Sequence, residues 1–174
     1  MFETARAILK QDPAAHSLAE VVLTYPGMQA LFWHRIAQYF SNHHHSFLAS
    51  FLRRHSEHRT GISIAPQAQI GKRVFIDHGV GVVIGETAII EDDVVLLHGV
   101  TLGSRHAEDT GRRHPHIKHG AYIGANAQIL GSVTVGKFSK IGAGAIVLKD
   151  VPDYATAVGS PARIIEKNNK PNTN

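Results

Sequence analysis

The stretch YIGANAQILGSVTVGKFSKIGAGAIV, residues 122–147, carries an aliphatic residue at every sixth position: Ile123, Ile129, Val135, Ile141 and Val147. An α-helix repeats every 3.6 residues and an alternating strand every two, so neither gives a period of six. A triangular coil does. Each face is a short strand, each corner a tight turn, and one aliphatic side chain per face stacks into an interior column. Glycine often follows the aliphatic position, as at Gly124, Gly136 and Gly142, where the chain must turn.

The same period runs outward from this stretch. Ile64, Ile70 and Ile76 are six apart, as are Ile84, Ile90, Leu96 and Leu102, and Ile117 leads into the quoted series. Small or β-branched residues recur four places on, among them Ala68, Val74, Ala88, Val94, Ala127, Val133 and Ala145. The spacing predicts a parallel β-helix of about four coils. Residues 1–60 read instead as helix. Ser17 and Glu20 form a capping box, and Pro26-Gly27 breaks one helix and starts another. Met28, Leu31, Phe32, Ile36, Tyr39 and Phe40 recur at helical spacing as one apolar face. In the following segment Phe47, Leu48, Phe51 and Leu52 are expected inward, with Arg53 and Arg54 outward and Gly61 as the stop. The predicted organisation is a small helical domain over 1–60, a β-helix domain over 61–165 and a polar tail over 166–174.

Composition narrows the chemistry. The 174 residues include no cysteine, so disulfides, thiolate catalysis and zinc–thiolate sites are excluded. No secretory h-region opens the chain and no apolar run is long enough to cross a bilayer, which makes the cytoplasm the expected location. The net charge of +4 suits an anionic partner, but the basic residues are scattered without a recognition pattern. A phosphate-bearing small molecule fits better than nucleic acid. Three consecutive histidines, His43, His44 and His45, point in different directions and read as a solvated helix junction rather than a chelate.

The repeat is broken twice, and function is expected where regularity fails. Between Ile76 and Ile84 the spacing is eight, and the extra residues fall beside Asp77-His78-Gly79. Between Leu102 and Ile117 a long polar loop, GSRHAEDTGRRHPH, carries Arg112, Arg113 and His114. A solvated corner and a basic loop tip are the plain readings of each taken alone. An acid, a candidate base and a loop able to reach a neighbouring subunit make a stronger case together.

Several motifs then point the same way: DPAA near residue 12, YPGMQALFWHRIAQ, IDHGVGVVIGE, VTLG, RRHP, KIGAGAIVLKDVP and VGSPAR. In these the chain resembles the serine O-acetyltransferases of the hexapeptide-repeat acyltransferases, in a short form. The resemblance implies that the β-helix is left-handed. It also implies acetyl transfer from acetyl-CoA to L-serine in cysteine biosynthesis, with no metal. His78 matches the family's catalytic base, and neutral imidazole is suited to taking a hydroxyl proton near pH 7. Asp12 and Asp77 match the groups that hold the substrate ammonium. Arg113 matches the carboxylate grip, for which a planar fork of donors is well shaped. His114 matches a second histidine of the pocket. Gly103, Ser104, Ala125 and Ala143 match positions along the cofactor groove, and Lys140 is a candidate phosphate partner.

The chain departs from the family at a few positions. Ser63 stands where an Asp or Glu usually orients the base, Ala65 replaces a common histidine, and Ser104 replaces a second glycine after TLG. Ser63 is therefore a candidate base-orienting residue. Trimers of such coils imply a homotrimer with sites shared between chains. The short N-terminal segment and an end at Asn174 imply no stable complex with O-acetylserine sulfhydrylase. Acetylation of L-homoserine is the alternative within the same chemistry, since it offers the same ammonium and carboxylate. Two other classes compete: a non-catalytic or sugar-binding hexapeptide scaffold, and a zinc coil using His78, His98 and His114.

Overall fold

The computed structural model describes residues 1–106, 108 and 110–165, without the side chain of Gln11; the expected polar tail over 166–174 lies outside the described residues. Four helices come first: α1 (Phe2–Gln11), α2 (Leu18–Thr24), α3 (Pro26–Asn42) and α4 (Ser46–Thr60). The capping box forms at α2. The Ser17 hydroxyl accepts from the Glu20 amide at 3.1 Å, and the Glu20 carboxylate accepts from the His16 amide at 2.9 Å. Pro26 supplies the first turn of α3. Gly61 ends α4 in the left-handed conformation, φ 70°, its amide donating to the Glu57 carbonyl. The exposed histidines 43–45 join α3 to α4, as expected. No described helix is long and apolar enough to cross a membrane.

Short strands then wind through three parallel sheets in rotation. The first turn comprises β1 (Ser63–Ile64), β2 (Gln69–Ile70) and β3 (Phe75–Ile76). The second comprises β4 (Val83–Ile84), β5 (Ile89–Ile90) and β6 (Val95–Leu96). The third has β7 (Thr101–Gly103), β8 (His116–Ile117) and β9 (Tyr122–Ile123), and the fourth β10 (Gln128–Leu130), β11 (Thr134–Val135) and β12 (Lys140–Ile141). A fifth turn follows, with β13 (Ile146–Val147), a bridge from Val151 to Val135, and β14 (Thr156–Val158). The strand β15 (Arg163–Ile165) turns back antiparallel on β14. One sheet therefore runs β1-β4-β7-β10-β13, the second β2-β5-β8-β11, and the third β3-β6-β9-β12-β14-β15, its last pair antiparallel.

Register explains the period of six. Ile64 pairs with Ile84, Ile84 with Leu102, Leu102 with Ile129 and Ile129 with Val147, one aliphatic per turn down one face. The other two faces repeat this, and the whole column is buried with its alanine and valine companions. Burying each such aliphatic chain is worth about 1.5–3 kcal/mol, so the stack is the main source of cohesion.

The helices close the first turn of the coil with only part of the face the periodicity suggested: Met28 and Leu31 are buried, the larger aromatics are not. The residues of α3 that are buried are Gly27, Met28, Ala30, Leu31, His34 and Ala37, whereas Phe32 and Tyr39 are exposed. In α4, Ala49, Ser56 and Thr60 are buried, while Phe47 is 86% and Phe51 59% exposed and Leu48 is also exposed. The reason is close approach. A Cβ on Gly27 would lie 2.9 Å from Ile76 Cβ, so the helix meets the coil along its small residues and the aromatics do not fit between. Polar clamps fix the contact: Arg35 donates to the Gly71 carbonyl at 2.7 Å and Gln38 to the Ala68 carbonyl at 2.8 Å.

Candidate active site

Three columns of corners run along the coil. The one between the third sheet and the first holds residues 77–82, 97–100, 124–127 and 142–145. At its top the two extra residues make a bulge in which His78, Gly79 and Gly81 all take positive φ, at 57°, 72° and 78°. For a non-glycine residue that conformation is uncommon and costs about 1–2 kcal/mol. It leaves the His78 side chain 78% exposed in the single chain, with Nε2 3.7 Å from Asp77 Oδ1. Below it lies His98, its ring centroid 6.2 Å from that of His78. Backbone bonds continue the column: the Asn126 amide donates to the His98 carbonyl at 2.9 Å and the Gly144 amide to the Ala125 carbonyl at 2.8 Å. Ala125 and Ala143 therefore share the corner column of His78. Lys140 opens β12, exposed on the adjoining face.

The helical segment brings further groups to this corner. Asp12 follows α1 as its C-cap, in extended conformation. Its Oδ2 accepts from the Tyr25 hydroxyl at 2.7 Å and its Oδ1 from the Ala14 amide at 2.8 Å. These two bonds, with a smaller contribution from nearby His78, hold the Asp12 carboxyl below the usual carboxylate range. The Tyr25 phenol is correspondingly pushed up to about 12, first by its bond to Asp12, then by burial and by the negative charges of Asp12, Glu20 and Asp77. Asp12, Tyr25, Asp77 and His78 thus form one electrostatic cluster. Sequence reasoning named three of the four. Tyr25 was missed because a tyrosine before Pro-Gly reads as helix punctuation.

A second cluster occupies the next column of corners, between the first and second sheets. Here β7 ends at Gly103 and the chain leaves through Ser104 into the long loop, returning at Arg113-His114-Pro115. Thr87, at the corner one turn earlier, organises the return. Its hydroxyl oxygen accepts from the amides of Arg113 at 2.9 Å and His114 at 3.1 Å. Its own amide donates to His114 Nδ1 at 3.2 Å, which places the proton of the neutral ring on Nε2. His114 is only 7% exposed, and burial above all, with Arg113 next, holds its pKa below the ordinary value. Gly85 makes room for the ring, since a Cβ there would collide with it. Arg113 reaches Glu86 at 3.4 Å, and Arg112 staples the loop through the carbonyls of His114 and Ser132. Thr87 carried no signal in the sequence, because threonine at a corner is ordinary turn filling.

The chain therefore brings Asp12, Asp77 and His78 together and sets Arg113 and His114 apart, on a different corner column. Gly103 and Ser104 go with the loop, while Ala125, Ala143 and Lys140 go with His78. Ser63 pairs with Val83 in the first sheet, and the side-chain hydrogen bonds of the described residues include none from Ser63 to His78. His114 does not join His78 and His98, and among the described residues no three of His, Cys, Asp and Glu are placed to hold a metal ion.

The coil and its broken corners define a class, the hexapeptide-repeat transferases: residues 114–149 match the family model described as bacterial transferase hexapeptide (six repeats). A serine acetyltransferase of Bacillus pumilus is 51% identical over 97% of this chain and 77% of its own length. One of Helicobacter pylori is 48% identical over 92% of this chain and 93% of its own. The solved serine acetyltransferase of Brucella abortus in complex with coenzyme A superposes with a TM-score of 0.90 at 42% identity. That match covers 93% of this chain and 64% of the Brucella chain. The chain belongs to the serine acetyltransferase family.

Proposed function

We propose that the chain transfers the acetyl group of acetyl-CoA to the hydroxyl of L-serine, giving O-acetyl-L-serine and coenzyme A for cysteine biosynthesis. The observation that carries this reading is the corner where two carboxylates, Asp12 and Asp77, flank an exposed imidazole, His78. Paired carboxylates suit an ammonium group, and an exposed imidazole suits removal of a hydroxyl proton near pH 7. Arg113 grips the substrate carboxylate as a forked donor. Buried His114, with its Nε2 proton, completes the pocket as a donor.

The chemistry follows. His78 accepts the serine hydroxyl proton as that oxygen attacks the thioester carbonyl. The tetrahedral intermediate then collapses, the C–S bond breaks, and the departing sulfur takes the proton from the imidazolium. His78 ends as it began.

Three copies complete the site in this reading. The coil is left-handed, as its hexapeptide repeat implies, and the helical domain over 1–60 docks on the coil over 61–165. The loop column of one subunit meets the His78 column of the next, so Arg113 and His114 face the Asp77–His78 corner of a neighbour. The placement of the two clusters on separate columns supports this arrangement. Acetyl-CoA lies along the same seam, between Gly103 and Ser104 of one subunit and Ala125 and Ala143 of the other, with Lys140 toward its phosphates. The absence of side-chain bulk at four of those five positions supports it. No observation favours L-homoserine over L-serine.

Thiol release from acetyl-CoA in the presence of L-serine or L-homoserine tests the reading. Release with L-serine, with O-acetyl-L-serine identified by mass, is expected. Release with L-homoserine alone would change the substrate, and release with neither would refute acetyl transfer to an amino-acid alcohol.

A further inference from the structure

Tyr25 sits between α2 and α3 and precedes Pro26, which confines it to extended backbone (φ −77°, ψ 116°). Its hydroxyl is the only side-chain group bonded to Asp12 among the described hydrogen bonds, and the Ala14 amide takes the other oxygen. Both carboxylate oxygens thereby accept a bond, which opposes rotation of the group. This matters because Asp12 and Asp77 share a corner. A partly exposed aspartate is otherwise able to turn into solvent. A phenol donating to one oxygen opposes that rotation.

We propose that Tyr25 is a positioning residue for the amino-acid ammonium, fixing the Asp12 carboxylate beside Asp77 so that two anionic groups meet one cation. The inference rests on the reading of Asp12 and Asp77 given above. It makes the junction of two helices, rather than the coil alone, responsible for recognition of the amine.

The test compares Tyr25→Phe, Asp12→Asn and the double variant in the thiol-release assay. Tyr25→Phe is expected to raise KM for L-serine about tenfold, the scale of a lost charge-assisted hydrogen bond. It should leave kcat and KM for acetyl-CoA within about twofold. Inhibition by 3-hydroxypropanoate, which keeps the carboxylate and hydroxyl but lacks the ammonium, should not change. The double variant should be no weaker than Asp12→Asn alone, since Tyr25 acts through Asp12. If Asp12→Asn raises KM and Tyr25→Phe does not, the role of Tyr25 is overturned while the ammonium reading stands. If Asp12→Asn leaves KM unchanged, the ammonium reading itself fails, and the inference with it. A Tyr25→Phe variant that loses kcat and binds 3-hydroxypropanoate more weakly would show a general structural role and overturn the proposal.

Discussion

Gly85→Ala isolates the placement of His114. Gly85 has no positive φ, so the backbone accepts alanine; only the added methyl matters. That methyl would overlap Cδ2 and Nε2 of the His114 ring and stand 2.7 Å from Cγ, where ordinary contact begins at 3.4 Å. The ring must withdraw by at least 0.7 Å at Cγ, and further at its outer edge, so a displacement of about 1 Å is required. The ring cannot move that far and keep Thr87. Its Nδ1 contacts, 3.2 Å to the amide and 2.9 Å to the hydroxyl, would stretch beyond hydrogen-bond range. A misplacement of this size costs roughly 10²-fold in a positioned reaction, and the overpacking costs about 1–3 kcal/mol of stability. The expected result is a fall of about 10² in kcat/KM for L-serine, measured by steady-state thiol release on a variant whose circular dichroism matches the parent. A folded variant within about threefold of the parent would refute the requirement for His114 in that position.

His78→Ala should lower kcat by ~10²–10⁴ with little change in KM for acetyl-CoA, because a base acts mainly in the transition state; near-parental turnover would remove it from that role. Arg113→Ala should raise KM for L-serine by about 10- to 100-fold, the loss of a charge-assisted contact of ~1.5–3 kcal/mol; an unchanged KM would refute the carboxylate assignment. If three copies complete the site as proposed, co-expressed His78→Ala and Arg113→Ala chains should regain partial activity in mixed oligomers, since a seam between an intact column and an intact loop is then functional. Mixtures as inactive as either variant would place both groups in one chain's site, and light scattering checks that the particle is a trimer. His34, 3% exposed, has no well-formed hydrogen bond on either ring nitrogen, the Ala68 carbonyl beside it being taken by Gln38. Burial, and secondarily Arg35, lowers its pKa to about 4. Between pH 6.5 and 4 the unfolded chain binds a proton that the folded chain refuses, so stability falls across that window by roughly 3 kcal/mol and levels off below it. His34→Leu should narrow the gap in urea stability between pH 7.5 and 4.5, and an unchanged gap would show that His34 does not titrate as described.

The coil was legible because a single rule, one aliphatic per face, dictates every strand. Ile64, Ile84, Leu102, Ile129 and Val147 stack as the spacing predicts. The Asp77–His78 corner was legible for the opposite reason, as a defect in that rule. The helical faces were read only in part: Met28 and Leu31 are buried as the spacing suggests, but hydropathy also favours Phe32, Tyr39, Phe47 and Phe51, which are exposed. Shape decided otherwise, since Gly27, Ala30 and Ala37 permit the closest approach to the coil. Tyr25 and Thr87 were invisible because each acts through one hydroxyl placed by tertiary structure. The separation of Arg113 from His78 was expected only in outline, as a site shared between chains; which corner each residue occupies depends on counting strands through three sheets.

The long excursion between β7 and β8 has a bearing on how such a chain changes over generations. Despite the loop over residues 104–115, Leu102 still meets Ile84 and Ile129, and Ile117 still meets Ile90 and Val135. Within a face, one inserted residue would turn an aliphatic side chain outward and spoil every later pairing. At a corner, extra length is shed into solvent at a loop-closure cost that grows only slowly, about 0.6 kcal/mol for each doubling. Faces therefore tolerate change only in whole turns, whereas corners accept insertions of any size. The reach of the Arg113 loop and the geometry of the His78 bulge are free to drift in length independently of each other, without renegotiating the scaffold that carries them.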